Sequence, residues 1–157
     1  QYLESSTKSL FRFEYLQDFN IPSEEKYFKA YQDTGLLDYS MMEEWWNFLE
    51  SKKKSGVILQ RVRLVRKPIT KYTEWSLEIY KETIKHGDEI RILSEEKLTP
   101  DLDKLKDFWL INDSIAVRMK YSSGGEYLGF VESDNPAKYL EAKKYLLENS
   151  ISYGNFQ

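Results

Sequence analysis

Residues 107–131, DFWLINDSIAVRMKYSSGGEYLGFV, decide the fold. They contain three short segments of strand-forming residues, separated by two turn sequences. Asn112-Asp113 tolerates the positive φ angles of a tight hairpin turn, and Ser122–Gly125 is a second turn sequence. The pattern therefore predicts an antiparallel meander at the core of a sheet, with strands Phe108–Ile111, Ile115–Met119 and Tyr127–Val131.

The rest of the chain adds helices and two more strands. Apolar spacing and capping residues predict helices over 23–35, 40–56, 70–85 and 136–149, and strands over 57–65 and 89–93. Together these elements predict an α+β fold: a mostly antiparallel sheet of about five strands with N-terminal helices, one central helix and a C-terminal helix. We expect a single domain, residues 1–157, with a helical N-terminal part (1–56) and a mixed α/β part (57–157).

The composition is that of a globular protein without disulfide bonds. The 157 residues include no cysteine, which excludes a disulfide framework and a thiolate metal site. No apolar run approaches the roughly 20 residues that cross a bilayer, and the N-terminus lacks the apolar core of a signal peptide. We therefore expect a soluble, cytoplasmic protein with no membrane association.

The charges are distributed unevenly along the chain. The net charge is -3, yet the segment from Lys52 to Lys71 contains eight basic residues and no acidic one. Such a block suits contacts with nucleic-acid phosphates. The alternative is that Lys52, Lys53 and Lys54 simply end a helix, where cations complement the dipole. The sequence carries no helix-turn-helix, zinc-finger or RNA-recognition signature, so nucleic-acid binding is the weaker prediction.

Four arginines on predicted strands form the candidate ligand site. Arg61, Arg63, Arg91 and Arg118 each alternate with apolar neighbours. If these strands are adjacent, the guanidinium groups converge on one sheet face and bind a phosphate or a carboxylate. The alternative is a solvated or helix-covered face whose arginines pair with Glu78, Asp88 or Glu126.

The second predicted helix carries a broad aromatic and methionine stripe. Met41, Trp45, Trp46 and Phe48 cover more of its circumference than one buried face requires. Residues of these types are enriched at protein interfaces, so the stripe is a candidate partner surface. The alternative is that the stripe belongs to the core.

The sequence offers no catalytic constellation. His86 is the only histidine, and a lone histidine before Gly87 is typical of a helix C-terminus. Glu95-Glu96-Lys97 has a spacing found in some metal-dependent nucleases, but it lies in a predicted connection rather than on a strand. We therefore predict no catalytic residues, no metal site and no cofactor.

Four segments carry a resemblance to a known family: LFRFEYLQDFNIPSEE (10–25), RVRLVRKPITKYTEW (61–75), GDEIRIL (87–93) and residues 107–131. In these the chain resembles an uncharacterised bacterial domain family, common in actinobacteria and often encoded beside helix-turn-helix regulators. The resemblance covers roughly residues 10–147. It implies an accessory or regulatory role, with a transcription regulator as a partner, and it implies no activity.

Taken together, the sequence predicts a non-enzymatic accessory or regulatory domain that binds a protein partner or a small anionic ligand. Two alternatives stay open. One is a phospholipase D-like domain, inactive because the His-x-Lys motif of such enzymes is absent, which senses a ligand. The other is a nucleic-acid-binding accessory protein that uses the basic block from Lys52 to Lys71.

Overall fold

A computed structural model describes residues 2–156 and contains one seven-stranded sheet with helices on both faces. The strands are β1 (Ser9–Glu14), β2 (Ile58–Val65), β3 (Glu89–Ser94), β4 (Phe108–Ile111), β5 (Ile115–Tyr121), β6 (Tyr127–Glu132) and β7 (Ile151–Ser152). The helices are α1 (Glu25–Thr34), α2 (Glu43–Lys54), α3 (Lys71–Thr83), α4 (Pro100–Leu105) and α5 (Pro136–Asn149). The fold is therefore α+β, as predicted. None of these helices is long and apolar enough to cross a lipid bilayer.

The sheet is mixed, and it is larger than the sequence predicts. Its order is β6-β5-β4-β1-β2-β3-β7. Strands β1, β2 and β3 are parallel, whereas β4 pairs antiparallel with β1 and begins the predicted meander β4-β5-β6. The expectation of a five-stranded, mostly antiparallel sheet is corrected to a seven-stranded mixed one. The meander is confirmed, and Asn112 and Asp113 both adopt φ of 55° in its first turn.

The central strand β1 is one of two strands that sequence patterning missed, the other being the two-residue edge strand β7. All six of its residues are buried, because helices cover both faces of the sheet at its centre. A strand that is buried on both faces usually reads as a continuous apolar run. Arg12 and Glu14 interrupt that run in β1 although both are buried. The first 56 residues are consequently not only helical, since they supply the middle of the sheet.

The strand register assigns side chains to two different faces. Phe11 and Phe13 of β1 pack with α4 and α5 in one apolar cluster. The alternate residues of β1 face α1, α2 and α3, and the register aligns Arg12 with Arg61 and Glu14 with Arg63. We call these the α5 face and the α3 face. The α3 face holds the charged residues of β1 and β2.

Of the helices that cover the α3 face, only α3 begins with a side-chain cap. The Thr70 hydroxyl accepts a hydrogen bond from the Thr73 amide at 3.1 Å and so begins α3, as predicted. The segment before α2 differs from the prediction, because Ser40–Met42 forms a 3₁₀ turn and the helix starts at Glu43 without a side-chain cap. This turn places two methionines over the sheet.

Candidate functional site

A cavity of about 120 Å³ lies where α2 and α3 pass over β1 and β2. We call it the central cavity. Its lining includes Glu14, Arg61 and Arg63 from the sheet, Tyr72, Trp75 and Tyr80 from α3, and Met41, Met42 and Trp45 from the segment that covers it. The floor is therefore charged and the cover is apolar.

Arg63 is the most buried charged residue of the floor, with 1% of its surface exposed. Its Nη1 donates to Glu14 Oε2 at 3.3 Å and to the Tyr80 hydroxyl at 3.2 Å, and its Nη2 donates to the Gln17 carbonyl at 3.2 Å. Its Nε has no hydrogen-bond partner among the residues that the structure describes. One donor of a buried guanidinium at the cavity thus stays unused.

Arg61 lies two residues before Arg63 on β2, and its guanidinium group contacts two carboxylates. Its Nη1 is 3.1 Å from Glu14 Oε1, and its Nε donates to Asp88 Oδ2 at 3.2 Å. The guanidinium also lies over the rings of Trp109 and Trp45, with its Cζ 5.5 and 5.9 Å from their centroids. Cation–π contacts of this kind favour the charged form of the arginine. Arg61 therefore links the sheet to the covering helix.

Glu14 is the centre of the ion-pair network. Burial raises its pKa, but the attraction of Arg61 and then of Arg63 outweighs burial and lowers the pKa to about 2. Tyr80 donates its hydroxyl proton to the same carboxylate, and burial followed by the charge of Glu14 raises the Tyr80 pKa above its usual value. Glu14 is thus a permanent carboxylate at neutral pH.

A second acid, Glu24, reaches the cavity from the turn before α1. It accepts a hydrogen bond from the Tyr72 hydroxyl at 2.7 Å, and burial raises its pKa. Burial likewise raises the pKa of Tyr72, with a further contribution from the charge of Glu24. The cavity therefore presents acceptors as well as donors.

Arg12 is a member of the network that sequence reasoning missed. Its Nη2 lies 3.3 Å from Asp107 Oδ1 and 3.4 Å from the Tyr121 hydroxyl, and its Nη1 has no partner among residues 2–156. Burial raises the pKa of Asp107, and Arg12 opposes this effect. A signal was present in the alternation of charged and aromatic residues in SLFRFE, residues 9–14. With Arg12 included, three guanidinium groups face three carboxylates: those of Glu14, Asp88 and Asp107.

The other two arginines of the predicted ligand site lie elsewhere. The register aligns Arg91 with Val62 and Arg118 with Phe108, which places both on the α5 face. Arg91 donates from Nε to the Ser150 hydroxyl at 2.9 Å and from Nη2 to the Ser150 carbonyl at 2.7 Å. Arg118 is exposed on β5. The four arginines therefore do not converge, and only Arg61 and Arg63 share a site.

The predicted partner surface covers the central cavity. Met41 and Trp45 line the cavity directly. The Trp45 ring stacks on Phe48 with centroids 5.2 Å apart, and Trp46 stacks on His86 at 4.3 Å and donates its indole N–H to Thr83 at 2.9 Å. All four residues of the stripe are half-buried. Two regions that the sequence suggests as separate surfaces thus meet in one place.

The basic block is divided between unrelated locations. Arg61 and Arg63 are in the network, Lys52 donates to the backbone carbonyls of Glu4 and Ser6, and Lys71 pairs with Glu74. The eight bases of this segment consequently do not form one continuous surface.

The comparisons with known proteins place the chain in a family. A family model described as Domain of unknown function (DUF6879) matches residues 1–157, so the chain belongs to that family. No curated protein matches it.

Proposed function

We propose that this member of DUF6879 is a non-enzymatic accessory or regulatory domain that binds a small molecule in the central cavity. The observation that carries the proposal is the meeting of Arg61 and Arg63 with Met41 and Trp45 around one cavity. Ligand sites of proteins combine an apolar wall with a few convergent polar groups, and the central cavity has both.

The buried charges support a binding role because folding does not require them. An apolar cluster of similar volume serves stability as well as a buried ion-pair network, or better. The cost of leaving a buried donor without a partner is about 1–3 kcal/mol. The unused Nε of Arg63 is such a donor; it is buried beside the cavity, so a ligand would satisfy it only through a shift of the Arg63 side chain.

Size and charge define the ligand class. A cavity of about 150 Å³ accommodates a single benzene ring, so the central cavity, at about 120 Å³, suits a five-membered ring or a short aliphatic body. The guanidinium groups are already balanced by carboxylates, so the ligand gains little from a high negative charge. We infer a compound with one carboxylate or amide as hydrogen-bond acceptor and an apolar body that contacts Trp45 and Trp75.

The test is a thermal-shift and tryptophan-fluorescence screen of one-ring fragments that carry a carboxylate, an amide or an ammonium group. A ligand of the folded state raises its stability by about 2.7 kcal/mol at 100 times the dissociation constant. We expect carboxylates or amides to raise the melting temperature and to change tryptophan emission, and ammonium compounds to do neither.

A matched pair of variants makes the screen specific. Ser76→Met fills the cavity from α3, since Ser76 is buried and lines it, whereas Lys81→Met makes a similar change on the exposed side of the same helix. The fragment response should disappear in the first variant and persist in the second. A response that survives Ser76→Met, or a panel without any response, would count against the central cavity as the site.

The accessory role follows from the resemblance to bacterial proteins encoded beside helix-turn-helix regulators, and a transcription regulator is the partner it suggests. Occupation of the central cavity would fix the position of the 3₁₀ turn Ser40–Met42 and α2, because both cover the ligand. A partner that contacts this segment would then respond to the ligand.

A further inference from the structure

The two edges of the sheet are built differently. At one edge β7 has two residues and continues into a 3₁₀ turn. At the other edge β6 has six residues, of which Tyr127, Leu128, Phe130 and Val131 are 49–64% exposed. Proteins usually protect an edge strand with lysine, proline or a bulge. Here the only such device is a bulge at Leu128, where Lys120 pairs with Gly129 and Tyr121 with Tyr127.

Beyond the bulge, β6 has outward backbone groups that make no backbone hydrogen bond to any of residues 2–156. The Ser133 amide donates to the Ala116 carbonyl at 2.8 Å, so Ser133 points toward β5. Hydrogen-bonding direction alternates along an antiparallel strand. Val131 therefore also points toward β5, and the N–H and C=O groups of Phe130 and Glu132 point away from the sheet.

Apolar surface flanks these groups on both faces. Val131 lies on the α5 face, opposite Arg118. On the α3 face, Phe130 borders an apolar groove of about 190 Å³ that is also lined by Trp109 and Met119. An added strand would therefore meet apolar side chains on both of its sides.

The charge of this edge selects the partner. β6 and its two flanks carry three exposed acids, Glu126, Glu132 and Asp134, and no base. The neighbouring strand β5 adds two exposed bases, Arg118 and Lys120, on the α5 face only, so the acids predominate at the two ends of the edge. Pairing with a second copy of β6 would bring these acids close to an equal number of acids, and like charges on paired strands are destabilising. An extended segment with lysine or arginine at its ends instead complements the edge.

We propose that β6 is a docking edge that binds an extended, apolar segment of another protein with basic residues at both ends. The segment adds to the sheet as an eighth strand through the free groups of Phe130 and Glu132. This surface is separate from the central cavity, so the proposal is independent of the ligand-binding function.

The probe is a fluorescein-labelled nine-residue peptide with five β-branched or aromatic residues in its centre and two lysines at each end. Its binding to the full chain is measured by fluorescence polarisation at low salt, beside a peptide with glutamates in place of the lysines. The loss of one main-chain hydrogen bond should weaken peptide binding by about tenfold. The loss of charge complementarity should also weaken it. We expect the lysine peptide to bind and the glutamate peptide to bind at least about tenfold more weakly.

Two variants at position 132 separate the contribution of the backbone hydrogen bond to binding from that of the side-chain charge. Glu132→Pro removes an outward N–H that β5 does not use, and edge strands tolerate proline at such positions. Glu132→Gln keeps the N–H and the acceptor that Tyr2 uses at 2.7 Å. The proline variant should lose about tenfold in affinity, whereas the glutamine variant should lose only the smaller share due to one charge.

Amide hydrogen exchange of the unmodified protein gives a second measurement that depends on no variant. Added lysine peptide should slow exchange at Phe130 and Glu132 and leave Val131, which already faces β5, unchanged. Equal binding by a folded Glu132→Pro variant, or the absence of selective protection at saturating peptide, would overturn the proposal. A dimer in sedimentation that Glu132→Pro dissociates would also overturn it, because the edge would then pair with a second copy.

Discussion

Helices cover both faces of the sheet, yet the two faces carry different side chains. The centre of the α5 face is apolar, and Phe11, Phe13 and Leu64 are completely buried there. The α3 face buries Arg63 and Glu14 to nearly the same extent, one residue away along the same strands. The same backbone therefore supports an ordinary core on one side and an ion-pair network beside a cavity on the other.

The two faces are stabilised by different interactions near the centre of the sheet. Burial of apolar surface on the α5 face contributes to folding in proportion to area. On the α3 face the attraction between charges is largely offset by the loss of hydration. Such a network gives little net stability when complete and is costly when one member is missing, so a substitution that conserves volume should cost much more on the α3 face than on the α5 face.

The largest effect is expected from Arg63→Met. The substitution roughly preserves volume but leaves Glu14 with one cation fewer, and loss of one partner from a buried ion pair costs about 3–5 kcal/mol. The matched change on the α5 face is Leu64→Met at the next residue of β2, which should cost less than about 1.5 kcal/mol. Urea denaturation of both variants measures the two values, and equal losses would remove the distinction between the faces.

A second prediction concerns the pH dependence of the unfolding free energy, where a somewhat smaller change is expected. The pKa of Glu14 falls from 4.5 to about 2 on folding. Its ionised form therefore stabilises the fold above pH 4.5, and this contribution is lost as the pH falls toward 2. The loss amounts to about 3 kcal/mol in full, of which about 2 kcal/mol falls between pH 5 and pH 3.

The control for this prediction is Glu14→Gln, whose stability should lack that dependence. Burial raises the pKa of Glu24, Asp88 and Asp107, so these acids oppose Glu14 over the same range; they remain in both proteins, but Glu14→Gln removes the contribution that the charge of Glu14 makes to each raised pKa. The informative quantity is the difference between the two unfolding free energies at each pH. A constant difference from pH 5 to pH 3 would contradict the assignment of a lowered pKa to Glu14.

The contrast between the faces also explains what could be predicted from the sequence. The meander was predictable because turn sequences and alternation are local, and Asn112 and Asp113 adopt the φ angles expected of them. The position of β1 in the sheet was not predictable, because the pairing between Phe13 and Phe108 joins residues that are far apart in the chain.

The candidate site was predictable only in part for the same reason. The residue types at positions 45, 61 and 63 indicated a ligand or partner site. Only the three-dimensional structure shows that Trp45 of α2 lies over Arg61 and Arg63 of β2. Arg91 and Arg118 alternate with apolar residues as Arg61 does, but the register of their strands places both on the α5 face. Alternation sorts the residues of one strand onto two faces, but it does not show which residues of neighbouring strands lie on the same face of the sheet.

The smallest expected effect comes from Arg118→Ala, on the α5 face. Arg118 is exposed and its Nη2 lies 3.4 Å from a backbone carbonyl, that of Lys104, rather than from a carboxylate. An exposed substitution of this kind changes stability by no more than about 0.5 kcal/mol. Urea denaturation beside Arg63→Met compares two arginines with similar sequence patterns in opposite surroundings. A loss above about 2 kcal/mol for Arg118→Ala would mean that the α5 face also depends on charge, since removal of one weak exposed hydrogen bond cannot supply it.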